Sequence, residues 1–149
     1  MECQTPKEEN KLAIRFLAVG EQIYEGDEVT QETVDHLLQQ IQTEQVVSGY
    51  LSLDEYGEDG DDFLTIYKKN GWAALAFNTW DENGIAHLYQ PVAQDDHTQE
   101  QAPVFIGGQT PVLKRNALCD VQTIVDCVLC FAKTGKPAPN LEWEEVEFC

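Results

Sequence analysis

The sequence predicts an α+β domain: a single antiparallel sheet of about five to seven strands, packed by a C-terminal helix, with a second helix near the N-terminal third. Apolar residues recur at helical spacing over residues 31–43 and 120–133. Alternating residues flank an Asn70-Gly71 pair, which is the turn signature of a β-hairpin. Because 149 residues can enclose one hydrophobic core, we expect a single domain, with a frayed segment at residues 1–10.

The N-terminal half predicts a strand, a helix and a second strand. Alternation over residues 12–19 indicates the first strand, which Gly20 interrupts. Thr30 is suited to cap a helix over residues 31–43. The buried face of that helix would consist of Val34, Leu37, Leu38 and Ile41. Residues 46–53 then predict a second strand, which leads into an acidic loop.

The central third carries the clearest strand pattern. The Asn70-Gly71 turn predicts that residues 63–69 pair with residues 72–80, with Lys69 opposite Trp72. A turn at residues 81–84 leads to a strand at 85–92, and the turn is open between a four-residue loop and a tight Asn83-Gly84 pair. With either turn, one face of the sheet would be aliphatic and would carry Leu64, Ile66, Leu75, Phe77, Ala86 and Leu88.

The other face of the same strands is predicted to be aromatic and polar. We expect it either to be covered by other parts of the chain or to serve as a contact surface. Its members would be Phe63, Tyr67, Trp72, Asn78, Trp80, His87 and Tyr89.

The C-terminal segment predicts its own structure most firmly. Short strands at residues 104–106 and 112–118 lead to Asp120, whose carboxylate can accept hydrogen bonds from the first turn of a helix. Gly135 can adopt the left-handed conformation that ends this helix, and Pro137 prevents it from resuming. An extended run then begins at Leu141.

Charge excludes some functions and favours others. The net charge of −18 opposes binding to nucleic acid at every phosphate. Solubility is the simplest interpretation of this charge, and steering toward a basic protein partner is the second. Six carboxylates fall within residues 54–62, and a solvated turn is the simplest interpretation of this loop. The second interpretation is that the loop is an anionic contact surface for a basic partner. With no signal peptide and no apolar run of membrane-spanning length, we expect a cytoplasmic protein with no membrane partner.

The usual catalytic and metal-binding motifs are not matched. Cys127 and Cys130 have redox spacing but fall in the second half of an apolar helix, so we interpret them as buried thiols. The acidic loop does not fit the ligand positions of a calcium loop, and the histidines and remaining cysteines are too scattered for a zinc site. No serine lies in a nucleophile elbow. We therefore expect no enzymatic activity, no metal and no cofactor.

One stretch resembles a known family. The helix ends in Phe131-Ala-Lys-Thr134-Gly135-Lys-Pro137, and Trp143-Glu144 follow. This run resembles the C-terminal signature of a bacterial immunity-protein family whose members neighbour nucleic-acid deaminase toxins in polymorphic toxin systems. That signature reads Phe-x-x-Thr-Gly-x-x-Pro, then Trp and an acidic residue. Here Pro137 lies one place before the expected position and Pro139 one place after it.

The resemblance implies an antidote that binds and neutralises a cognate toxin with a basic active-site cleft. A deaminase must admit a phosphate backbone, so carboxylates could occupy its cleft instead. From charge and aromatic content we predict the contact surface to consist of Asp54, Glu55, Glu58, Asp59, Asp61, Asp62, Tyr67, Trp72 and Tyr89. The alternative is a module that binds a ligand or another protein through the aromatic sheet face, with an uncharacterised hydrolase third.

Overall fold

The computed structural model describes residues 12–55, 61–93, 100–106 and 110–146, and the expectation for residues 1–10 lies outside them. These residues form two helices, α1 (Gln31–Thr43) and α2 (Val121–Thr134), and nine strands. The strands are β1 (Phe16–Val19), β2 (Gln22–Glu25), β3 (Val46–Ser52), β4 (Phe63–Lys69), β5 (Trp72–Trp80), β6 (Ala86–Val92), β7 (Gln101–Ile106), β8 (Thr110–Leu113) and β9 (Glu142–Glu145).

Seven strands form one antiparallel sheet in the order β2-β1-β3-β4-β5-β6-β9. The predicted α+β class is thereby confirmed. β7 and β8 pair separately as a two-stranded sheet. The sequence predicts short strands there, but not that they form a separate sheet.

Both helices begin at their predicted N-cap residues, and α2 ends at the predicted glycine. Thr30 Oγ1 accepts from the Thr33 amide at 3.3 Å, and Asp120 Oδ2 accepts from the Thr123 amide at 3.0 Å. Gly135 ends α2 with a φ of 73°. The face of α1 named above is buried, and it packs with α2 on one side of the large sheet, called the helix face here.

The β4–β5 hairpin has the predicted register. Lys69 lies opposite Trp72, and Asn70 and Gly71 have φ values of 53° and 89°, as a type I′ turn requires. Leu64, Ile66 and Leu75 are at most 2% exposed and belong to the main core. The pairing of β3 with β4 extends the same alternation, so Val47 and Leu51 also lie on the helix face.

The predicted faces of β6 are wrong, because the β5–β6 connection has an odd number of residues. Trp80 pairs with Ala86, which leaves residues 81–85 in the loop instead of two or four. Asp81 holds this loop: its Oδ1 accepts from the amides of Asn83 and Ile85. One extra residue reverses the alternation of a strand. His87 and Tyr89 therefore share the helix face with Phe77, whereas Ala86 and Leu88 lie on the opposite face.

The first strand is shorter than predicted. β1 begins at Phe16, because the preceding residues leave the sheet and turn toward α2. The amides of Ala13 and Ile14 both donate to the Ala132 carbonyl, at 2.8 and 3.4 Å. This contact satisfies a carbonyl of the last turn of α2, which has no partner within the helix.

The small sheet covers part of the face opposite the helices. β7 packs against β4 and β5, and Ala74, Ala102, Val104, Val112 and Ala117 form a second core beneath it. Trp72 packs against this core, and Lys114 Nζ lies 5.7 Å from the centre of the Trp72 ring. The rest of this side, toward β1, β2 and β3, is called the open face here.

Candidate binding surface

An aromatic row crosses the sheet on the side opposite the helices. Its members are Phe16 on β1, Tyr50 on β3, Phe63 on β4 and Trp80 on β5. Successive ring centroids are 5.6, 4.9 and 5.9 Å apart, which is within the range of favourable aromatic pairs. Phe16 is buried and the other three are half-buried. Because each ring rests on the next, the row is a rigid surface of the kind that supplies contact area at low entropic cost.

A pocket lies beside this row on the open face. It has a volume of about 380 Å³, and Ser48, Gly49, Thr65, Ile66 and Ala74 line it together with Tyr50 and Tyr67. Ser48 pairs with Tyr67, which pairs in turn with Ala74, and Tyr50 pairs with Thr65. Small side chains therefore lie between two diagonally placed tyrosines. We call this the tyrosine pocket.

Acidic side chains gather at the end of the sheet where the aromatic row lies. Phe16 pairs with Glu25 on one side and with Ser52 on the other, so the β2 end and the start of the acidic loop are neighbours. A Cβ atom added to Gly26 would lie 2.7 Å from Glu55 Oε2. We call the described carboxylates here the acidic rim: Glu25, Asp27, Glu28, Asp54, Glu55 and Asp61.

The ends of the acidic loop are tied to the sheet. The Leu53 amide donates to the Asp62 carbonyl at 3.1 Å, and the Asp54 amide donates to Ser52 Oγ at 3.0 Å. Asp62 Oδ1 accepts from Thr79 Oγ1 at 2.8 Å, so this carboxylate anchors the loop to β5. Glu55 and Asp61 are exposed, whereas Asp54 and Asp62 are half-buried. Glu58 and Asp59 lie outside the described residues.

Two of the three predicted aromatic anchors, Tyr67 and Trp72, pack against the same core beneath the small sheet, whereas Tyr89 lies on the other face. Tyr67 lines the tyrosine pocket. Trp72 lies against the small sheet, and Tyr89 lies on the helix face, 6.3 Å from the Phe77 ring. Tyr50 and Phe16, which the sequence analysis did not name, belong to the aromatic row instead. Pairing the predicted strand at residues 46–53 with β4 would have placed Tyr50 on the same face as Phe63.

His87, near the start of β6, contacts both the β5–β6 loop and β9. Its Nε2 lies 2.9 Å from Asp81 Oδ2 and its Nδ1 lies 2.6 Å from Glu145 Oε2. With a carboxylate at each nitrogen, the doubly protonated ring satisfies both contacts. Hydrogen bonds to Asp81 and then to Glu145 raise the pKa of His87 above its usual 6.5. The hydrogen bond from His87, followed by that from the Ile85 amide, lowers the pKa of Asp81.

These shifts predict how stability depends on pH. Because the folded-state pKa of His87 is raised, its contribution is complete below the unfolded pKa and is lost as pH rises through the folded pKa. We expect the urea midpoint to decrease above about pH 6.5, and His87→Gln to remove that decrease. His36→Gln is the matched control, because the His36 ring lies 3.3 Å from the uncharged side chain of Gln40. An unchanged pH profile in His87→Gln would contradict the assignment.

The two cysteines of α2, Cys127 and Cys130, are buried, as the sequence predicts, and Cys119 is exposed. In the part of the chain that the structure describes, no three His, Cys, Asp or Glu side chains converge as a metal site would require. Neither helix among residues 12–55, 61–93, 100–106 and 110–146 is long and apolar enough to span a membrane.

Together, fold and surface define an α+β domain with one side of its sheet packed by helices and the other partly open and lined by aromatic residues. The chain matches no family model, no curated protein and no solved structure.

Proposed function

We propose that this protein is a cytoplasmic immunity protein that binds and neutralises a cognate toxin, with a nucleic-acid deaminase as the expected toxin class. The observation that carries the proposal is the position of the acidic rim beside the aromatic row. Acidic groups steer a basic partner to the surface, and the half-buried aromatic side chains of the row hold it after contact. The resemblance of residues 120–143 to an immunity family adds independent support.

Neutralisation would work by occupation and not by catalysis. A deaminase receives a polyanionic strand, so the entrance to its zinc site must present basic side chains. The carboxylates of Glu55 and Asp61 are exposed. A carboxylate is smaller than a phosphate group, so these two can lie where phosphates of the substrate would lie. The toxin would then be held in a complex from which its substrate is excluded.

A second candidate function is supported by the tyrosine pocket. A concave site of about 380 Å³ falls within the range of small-molecule sites, which are roughly 300–1,000 Å³. The protein would then be a non-enzymatic module for a ligand or a protein without any toxin antagonism. The two functions differ in whether a toxic partner exists.

Co-expression separates these functions. The product of the adjacent gene is expressed in a host cell alone and together with this protein, and growth is recorded. We expect growth arrest alone and rescue with this protein, together with a complex that co-purifies. A harmless neighbour, or a toxic neighbour that this protein does not restrain, would exclude the immunity function.

The role of the acidic rim gives a quantitative prediction. We expect Asp54→Asn, Glu55→Gln and Asp61→Asn in one variant to slow association with the toxin by about tenfold and to flatten its salt dependence, because steering is lost. Stopped-flow or surface-binding kinetics at several salt concentrations measure both quantities. The matched control changes Glu32, Asp35 and Asp126 to their amides.

The control removes the same charge from the helices on the other side of the sheet. Comparing the two variants separates the effect of where the charge lies from the effect of the total charge. Equal association rates in the two variants would show that the acidic rim is a solvated turn, as the simplest interpretation of the loop holds.

A further inference from the structure

We infer that the tyrosine pocket receives an arginine side chain of the basic partner. This inference rests on the proposed function and names the chemical group that the open face recognises. The occupant is a guanidinium group, inserted between the rings of Tyr50 and Tyr67. The spacing of the two tyrosines, the packing that holds them and the charge of the chain favour this occupant.

The spacing of the walls fits a flat cation. Tyr50 lies opposite Thr65, and Tyr67 lies opposite Ser48 on the neighbouring pair, so the two tyrosines are diagonal neighbours on adjacent strands. Diagonal positions are about 7–8 Å apart. This separation of residue positions leaves a gap that a flat guanidinium group can enter, and cation–π attraction operates within roughly 6 Å of a ring centroid.

Both walls are held before a partner arrives. The Tyr50 ring packs against Phe16 and Phe63 of the aromatic row, at 5.6 and 4.9 Å. Tyr67 packs against the core beneath the small sheet. Side chains that are already ordered lose little entropy on binding, which favours affinity at this site over a site between mobile side chains.

The floor of the pocket supplies hydrogen-bond acceptors. The hydroxyl groups of Ser48 and Thr65 can each accept a hydrogen bond from a guanidinium N–H. Ala74 leaves the third floor position without a side chain that could fill the space. An aliphatic occupant would bury these hydroxyl groups without a partner, which is unfavourable.

The overall charge of the chain favours a cationic partner over an anionic one at the open face. The chain carries a net charge of −18, and the acidic rim lies at the Phe63 end of β4. On the open side of β4 the basic residue is Lys69, at the strand's other end. The pocket therefore lies between an acidic end and a basic end, and a partner whose other basic groups meet the acidic rim would place one arginine in the pocket.

Titration with a small probe tests the pocket without the toxin. Backbone amide shifts of the full-length protein are followed by NMR as N-acetyl-arginine amide is added. We expect saturable shifts at Ser48, Gly49, Thr65 and Ala74. N-acetyl-citrulline amide has the same shape without the charge, and we expect it to bind roughly fivefold to tenfold more weakly, because the cation–π attraction is lost.

A variant that fills the pocket completes the test. Ser48→Leu should abolish the shifts caused by the arginine probe, whereas Gln39→Leu, an exposed position on α1, should leave them unchanged. Equal binding of the two probes would overturn the inference, and so would shifts that do not involve the pocket. The spectrum of each variant reports whether it is folded.

The outcome is independent of the toxin experiment. If the adjacent gene product is toxic and restrained, but Ser48→Leu binds it with unchanged affinity, the pocket inference fails and the proposed function stands. If the pocket binds the arginine probe but no toxin is restrained, the immunity function fails and a cation-recognising pocket remains.

Discussion

We expect Phe131→Ala to lower the free energy of unfolding by about 3–5 kcal/mol, because a fully buried aromatic side chain is removed from the centre of the core. Phe131 is 0% exposed, and its ring meets that of Phe77 edge-on at 5.9 Å between centroids. This contact joins α2 to β5, so the resulting cavity would lie between the helices and the sheet. Urea denaturation measures the change.

The control for Phe131 lies on the same helix. Val121 is 39% exposed at the first position of α2, so Val121→Ala should cost less than about 1 kcal/mol. Phe131→Leu should fall between the two, because it leaves a smaller cavity. A cost for Phe131→Ala near that of Val121→Ala would mean that α2 is not packed on the sheet as described.

This prediction also bears on the C-terminal resemblance. Phe131 begins the matching run, Gly135 ends the helix, and Trp143 Nε1 donates to the Ala138 carbonyl at 2.9 Å. These residues hold the chain in place and lie apart from the aromatic row. A variant at Phe131 should therefore lose toxin binding only in proportion to the fraction of protein that is unfolded.

Elements governed by local chemistry could be predicted from the sequence. The bounds of α1 follow from Thr30 and from the spacing of the four apolar residues that it buries, and the end of α2 follows from Gly135. The register of β4 and β5 follows from the two residues of the turn between them. In each case the deciding interactions lie within a few residues along the chain.

Elements governed by distant contacts could not be predicted in the same way. The faces of β6 depend on whether residues 81–85 form an odd or an even loop, which the hydrogen bonds of Asp81 decide. The covering of Trp72 depends on the small sheet, formed about 30 residues later in the chain. The sequence therefore identified the acidic and aromatic character of the surface but not which aromatic residues compose it.

Lys68 is a buried charge that the sequence analysis passed over. It follows Leu64 and Ile66 on the helix face of β4 and is only 6% exposed. Its Nζ donates to the carbonyls of Ile41 at 2.7 Å and Glu44 at 2.8 Å, at the C-terminal end of α1. No basic residue lies in the last turn of that helix, so a lysine from the sheet caps it.

We therefore expect Lys68→Met to cost about 2–4 kcal/mol, although methionine fills a similar volume, because two carbonyls lose their donor in a largely buried site. Lys69→Met, at the next position on the opposite face and exposed, should cost less than about 0.5 kcal/mol. Both variants remove one positive charge, so total charge cannot explain a difference.

Hydrogen exchange adds a local readout: the amides at the end of α1, including Glu44, should exchange faster in Lys68→Met alone. Equal costs in the two variants would show that the lysine contributes only its aliphatic stem, and that the end of α1 is held by packing without the ammonium group.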